Sequence, residues 1–208
     1  MFCTDTDLLV IDADIFEIAD LADFRRTLDY SATLTGTTLT LASGSWTAAG
    51  ALPGMVVTLM DTTGTFLRHA ELVVVTDSSH ATISVPRALA SDAAVPPAAN
   101  GVAKARLISF LPQIAAISAQ LMGLLGVDTA RDQALPAVDH GASLRSAAVM
   151  GTLATLYRAA GPALAGKAAL YAQAYAALRR AVSARVDLDG DGVAETRRNA
   201  GIRKLVRS

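Results

Sequence analysis

The sequence predicts an α+β chain: a helical bundle of about four helices with a small antiparallel β barrel or sandwich inserted into it. Three observations predict it. Residues 31–106 are rich in Thr, Val and Gly and break into short strand-like runs, the flanking segments repeat apolar residues at helical spacing, and 42 of the 208 residues are alanine. Methyl-sized side chains fill a core by letting helix axes approach closely. The expected organisation is a bundle from 1–30 and 107–208, ending in a C-terminal tail, around an inserted β-rich module at 31–106.

The first helix is expected over Ile15–Leu28, where Ile15, Ile18, Leu21, Phe24 and Leu28 recur at three- and four-residue steps behind Asp14 as an N-cap. Five strands follow in the module, over 32–35, 38–41, 55–59, 72–76 and 82–85, separated by Gly36, Gly44, Pro53-Gly54, Gly64 and Asp77-Ser78-Ser79. The stretch from Ser91 to Gly101, with Pro96-Pro97, reads as an exposed loop. From Leu107, apolar residues 107, 110, 111, 114, 117, 121 and 124 form one stripe, and Ser109, Gln113, Ala116 and Gln120 populate the other side. That pattern is a core helix and not a membrane span, although the 21 residues from Leu107 to Val127 carry no formal charge. After a break at 126–139 come helices at 143–159 and 162–186. The last of these carries the seam Leu164, Ala168, Tyr171, Tyr175, Leu178 and Val182, with Gly161-Pro162 at its start.

Composition excludes several function classes. Eighteen Lys and Arg against 19 Asp and Glu give a formal net charge of -1, which is too balanced for a generic nucleic-acid binder. A lone Cys3 excludes an internal disulfide framework and a multi-cysteine metal site, and His69, His80 and His140 lack ligand spacing. Residues 1–14 carry four aspartates and no Lys or Arg, the wrong polarity for a secretory or transit segment. Charge is segregated instead: residues 1–30 hold eight acids against two arginines, and the last twelve residues hold five Lys and Arg with no acid.

The most specific local motif runs from Asp187 to Glu195. Asp187, Asp189, Asp191 and Glu195 take loop positions one, three, five and nine, with Gly192 at six, an oxygen-rich pattern that suits calcium. An EF-hand needs a glutamate at position twelve, where this chain has Arg198, so the alternative is an Asp-Gly turn that reverses the chain after the last helix. No nucleophile elbow, zinc-protease motif or phosphate loop is present, and no catalytic residue is expected. His69 reads as a cross-strand residue, His140 as a capping residue, and Trp46 and the two tyrosines of the last helix as packing.

The order of features carries a resemblance. The run from Phe110-Leu111-Pro112 to Leu124-Leu125-Gly126, the helix from Leu144-Arg145 to Leu156-Tyr157, the tyrosine-bearing long helix, the Asp-Gly loop and the basic close Arg203-Lys204-Leu205-Val206-Arg207 together resemble tailed-bacteriophage head-tail connector (adaptor, head-completion) proteins. The likeness covers the C-terminal half and the first helix; the 31–106 module lies outside it. The resemblance implies a structural virion neck protein, not an enzyme, that forms a homo-oligomeric ring, as a dodecamer, between portal and tail. It implies as partners the portal protein, a tail-side neck protein (stopper or tail terminator), other copies of the chain, and DNA that passes through the channel without sequence-specific binding, with no membrane. Location would be the virion, with assembly in the host cytoplasm. It also nominates Arg197, Arg198, Ile202, Arg203, Lys204, Leu205, Val206 and Arg207 as the portal-contact tail. The competing expectation is a calcium-dependent binding or adhesion module, and calcium is the one cofactor the sequence suggests.

Overall fold

Six strands close into an antiparallel barrel because their alternate residues are apolar and short enough to fill a small interior. They are β1 (Arg26–Thr35), β2 (Thr38–Leu41), β3 (Val56–Met60), β4 (Phe66–Val75), β5 (His80–Ser84) and β6 (Lys104–Ser109). Their order around the barrel is β1-β2-β5-β4-β3-β6, with β6 pairing back onto β1. Cross-strand pairs set the interior in layers: Val57 against Ala70 and Leu107, Leu39 against Ala81, Leu72 against Ile83. All of these are buried, so large and small side chains alternate across the lumen. Gly36, at φ +60°, supplies the positive φ that the tight β1–β2 turn requires.

The structure is a computed structural model that describes residues 1–18, 21, 26–125, 142–186 and 196–199. The chain divides into two compact units, Thr4–Phe110 and a second made of Met1–Cys3 with Leu111–Ser208.

In the barrel unit, an N-terminal segment packs onto the outer surface of β3. Helix α1 (Asp5–Ile11) starts at Thr4, whose backbone N–H donates to the Asp7 carboxylate at 2.8 Å, and a 3₁₀ turn follows at Ala13–Phe16. The loop after β5 is pinned by Arg87, which donates to Glu71 Oε1 at 2.8 Å and to the carbonyls of Ala90 and Asp92 at 2.7 and 2.8 Å. Both partners of that ion pair are buried.

The helical unit is built from α2 (Leu111–Leu124), α3 (Ala142–Ala159) and α4 (Ala165–Ala181), the last entered through a 3₁₀ turn at Pro162–Leu164. Helix α3 is the central element, with Leu144, Ala147, Ala148, Leu153, Leu156 and Tyr157 almost fully buried. A Cβ at Gly151 would stand 2.9 Å from Ile117 of α2 and 2.9 Å from the Tyr175 ring of α4, so the missing side chain sets how closely three helices approach. Tyr157 stacks on Tyr171 at 5.5 Å, which with the Gly151–Tyr175 approach makes α3 and α4 an antiparallel pair. A two-stranded hairpin, β7 (Ser183–Val186) and β8 (Thr196–Asn199), follows. No helix of the described residues is long and apolar enough to cross a membrane.

The bundle-with-insertion fold class is corrected by this arrangement. Ile15–Leu28 is not a helix: a 3₁₀ turn ends at Phe16 and β1 begins at Arg26. The three- and four-residue spacing of Ile15 and Leu21 marked burial against a barrel rather than a helical stripe, since both are fully buried. From Leu28 onward, Leu28, Tyr30, Ala32 and Leu34 alternate with polar residues, and that period of two prevails. The bundle therefore lacks the expected first helix, and the chain's only N-terminal α-helix among the described residues is α1, in the barrel unit. Leu107 likewise belongs to a sixth strand, and the helix expected from 107 starts at Leu111.

Candidate functional site

Charge divides along the same line as the fold. Residues 4–110 hold 12 Asp and Glu against six Lys and Arg, a formal net charge of -6; residues 111–208 hold seven against 12, a net +5. Within the described part of the helical unit the contrast is complete: it contains Arg145, Arg158, Lys167, Arg179, Arg180, Arg185, Arg197 and Arg198, and no acidic residue.

Most of these cations gather at one end. Because α3 and α4 run antiparallel, Arg145 at the start of α3 shares an end with Arg179 and Arg180 in the last turn of α4. The hairpin begins directly after that turn, and its register sets Arg185 opposite Arg197 and Ala184 opposite Arg198. Basic residues in the last turn of α4 also complement the helix dipole.

The seam residues lie where α4 meets α3. Ala168 and Val182 are buried and Leu164, Tyr171, Tyr175 and Leu178 half-buried. Lys167 Nζ donates to the Tyr157 hydroxyl at 3.1 Å and lies 5.0 Å from that ring's centre, and the Arg179 guanidinium lies 5.9 Å from the Tyr175 ring. Burial pushes the Tyr175 phenol up, against the opposing pull of Arg179. Arg197 and Arg198 fall in β8, whereas Ile202, Arg203, Lys204, Leu205, Val206 and Arg207 lie outside the described residues. So do Asp187, Asp189, Asp191 and Glu195, and His140 with them. Among the described residues no group of three or more His, Cys, Asp or Glu converges as a metal site.

Asp5 and His69 are two of the barrel unit's buried polar residues. Asp5 accepts from Ser109 Oγ at 2.7 Å and from the Phe110 N–H at 2.8 Å; burial pushes its carboxyl up to about 6 despite those bonds. His69 shares a hydrogen bond with Thr58 across β3–β4 at 2.8 Å, lies between Phe16 and Phe66, and has Glu17 3.4 Å from Nε2. Burial lowers its pKa, with Glu17 opposing. The tether between the N-terminal segment and the barrel rests on these groups. His80 is a turn residue held by the Asp77 carboxylate at 2.9 Å, and Trp46 is fully buried against Tyr30.

Reasoning from sequence singled out the tail but missed Arg145, Arg158, Arg179 and Arg180. The signal that could have found them is the absence of any Asp or Glu from 140 to 186. No family model matches the chain, and no curated protein or solved structure matches it either.

Proposed function

We propose that the chain is a structural adaptor of a phage virion neck, a ring-forming subunit that docks through the cationic end of its helical unit onto the portal protein. The observation that supports this reading best is the clustering of Arg145, Arg179, Arg180, Arg185, Arg197 and Arg198 at one end of a unit with no described acid. Such a one-signed surface steers docking and fixes orientation. The nine residues from Ala200 to Ser208 continue it with Arg203, Lys204 and Arg207. In this reading the barrel unit decorates the ring and the helices carry the assembly. The virion neck location and the tail-side neighbour belong to the same proposal.

The test is binding of the full chain to its cognate portal protein at two salt concentrations. Arg197→Glu with Arg198→Glu, and separately truncation at Asn199, should each weaken binding by about tenfold or more, and binding to the wild-type chain should fall as salt rises. Binding unchanged by either variant and indifferent to salt would overturn the reading.

A further inference from the structure

Among the described residues, one exposed apolar site on each unit stands in surroundings of opposite charge. The first is at the end of α1, where Val10 and Ile11, neighbours in the chain, are 62% and 49% exposed while Leu8 and Leu9 before them are buried. Large branched residues gain free energy on burial, so an adjacent exposed pair is a candidate contact. The segment that bears it, Asp5–Glu17, holds five acids and no base, with Asp14 and Glu17 exposed.

The second is a groove of about 430 Å³ where α3 turns into α4. Gly161, at φ +100°, turns the chain there. Pro162, Ala165, Ala169 and Ala172 line the groove, Ala168 forms a buried part of its wall, and the exposed Arg158 contributes to the lining. Methyl side chains leave the space that a longer side chain would fill. Arg158 makes no ion pair among the described residues.

We infer that the Val10–Ile11 knob of one copy seats in the Arg158 groove of the next, with the exposed acids that follow α1, Asp14 and Glu17, on the side of the guanidinium. This rests on the ring-forming reading and names the residues of its copy-to-copy contact. Charge selects the occupant. The chain's other extension, 200–208, carries Arg203, Lys204 and Arg207 and no acid, so it would meet Arg158 with like charge. The -6 and +5 formal charges of the two units favour the same head-to-tail order. A knob on one surface and a groove on another can form a heterologous contact, which closes into a ring or runs on as a filament.

The experiment uses two full-length variants, Ile11→Lys to spoil the knob and Arg158→Glu to spoil the groove, each examined by light scattering on a sizing column, alone and mixed. Both positions are exposed, and unchanged circular dichroism and melting confirm folding. The wild-type chain is expected to associate beyond a dimer at high concentration. Each variant alone should lose that association by about tenfold or more. Their equimolar mixture should form a one-to-one pair and nothing larger, because it retains one good knob and one good groove. Variants that assemble as the wild type does would overturn the contact and leave the ring reading standing. A wild-type chain that stays monomeric both alone and on the portal would overturn the two together.

Discussion

The barrel unit and the helical unit solve the same problem, a core made largely of small side chains, in opposite ways. In the barrel, Ala70, Ala81 and Ala105 sit across from Leu or Val, so small residues make room for large ones within a fixed lumen. In the helical unit, Ala147, Ala148 and Gly151 make room for neighbouring helices themselves. The barrel is closed by its backbone ladder and leaves no strand edge, whereas α4 keeps one face of alanines exposed and the hairpin after it stands as a pair. Acidic surplus goes with the closed unit and cationic surplus with the open one. The difference teaches that a small side chain serves two ends: it makes room for a large residue inside a fixed lumen, or for a neighbouring helix.

The comparison breaks most severely at Trp46. It is fully buried, and its Nε1 has no hydrogen-bond partner among the described residues. Trp46→Ala should cost about 3–5 kcal/mol in denaturant unfolding, by loss of contacts and creation of a cavity. Trp46→Phe should cost clearly less, since it also removes a buried N–H that gains nothing.

The next effect is a pH dependence confined to the barrel unit. Asp5 titrates at about 6 in the folded chain against 3.8 for the free group, so between those values the native state binds more protons than the unfolded state. Its contribution is fully present below about 3.8 and is lost as pH rises through about 6, a change of about 3 kcal/mol for a shift of this size. His69, whose pKa is lowered by burial, acts in the opposite sense: it favours folding as pH rises through its titration range below 6.5. Asp5→Asn should therefore leave a chain whose stability climbs with pH over this window, and His69→Phe one whose stability declines, each read from urea midpoints at successive pH values.

Gly151→Ala sharpens the helical side. A methyl placed 2.9 Å from both Ile117 and Tyr175 forces α2, α3 and α4 apart, and the expected loss is about 1–3 kcal/mol with the barrel's own transition unmoved. The smallest effect is expected at Arg179→Ala, where loss of the guanidinium near Tyr175 should cost about 0.5–1 kcal/mol and let the Tyr175 phenol titrate higher, as followed by its ultraviolet absorbance.

Legibility differed between the units for physical reasons. The helix at 143–159 is legible because it is long and its apolar spacing has no competing period, whereas the one expected over 162–186 ends at Ala181 and Ser183–Val186 form β7. The helix expected over Ile15–Leu28 is absent because a chain wrapped on a barrel buries residues at irregular steps, and Ile15 and Leu21 imitate a helical stripe. The capping pair Thr4 and Asp7 is the sequence signal of the N-terminal helix. The β6 strand was hidden because Leu107 and Phe110 continue the helical spacing of α2. Of the candidate site, the tail arginines were evident from their density, whereas Arg145 and Arg179 became neighbours only once α3 and α4 were seen to run antiparallel. The Asp187–Glu195 loop stands where the sequence left it, outside the described residues.

The central claim is that the cationic end of the helical unit seats this subunit, with its copies, upon a portal. Electron microscopy of the full chain mixed with its cognate portal protein tests it most directly. The expected image is a closed ring of copies coaxial with the portal. Portal particles with no added density, beside a monomeric chain, would contradict it.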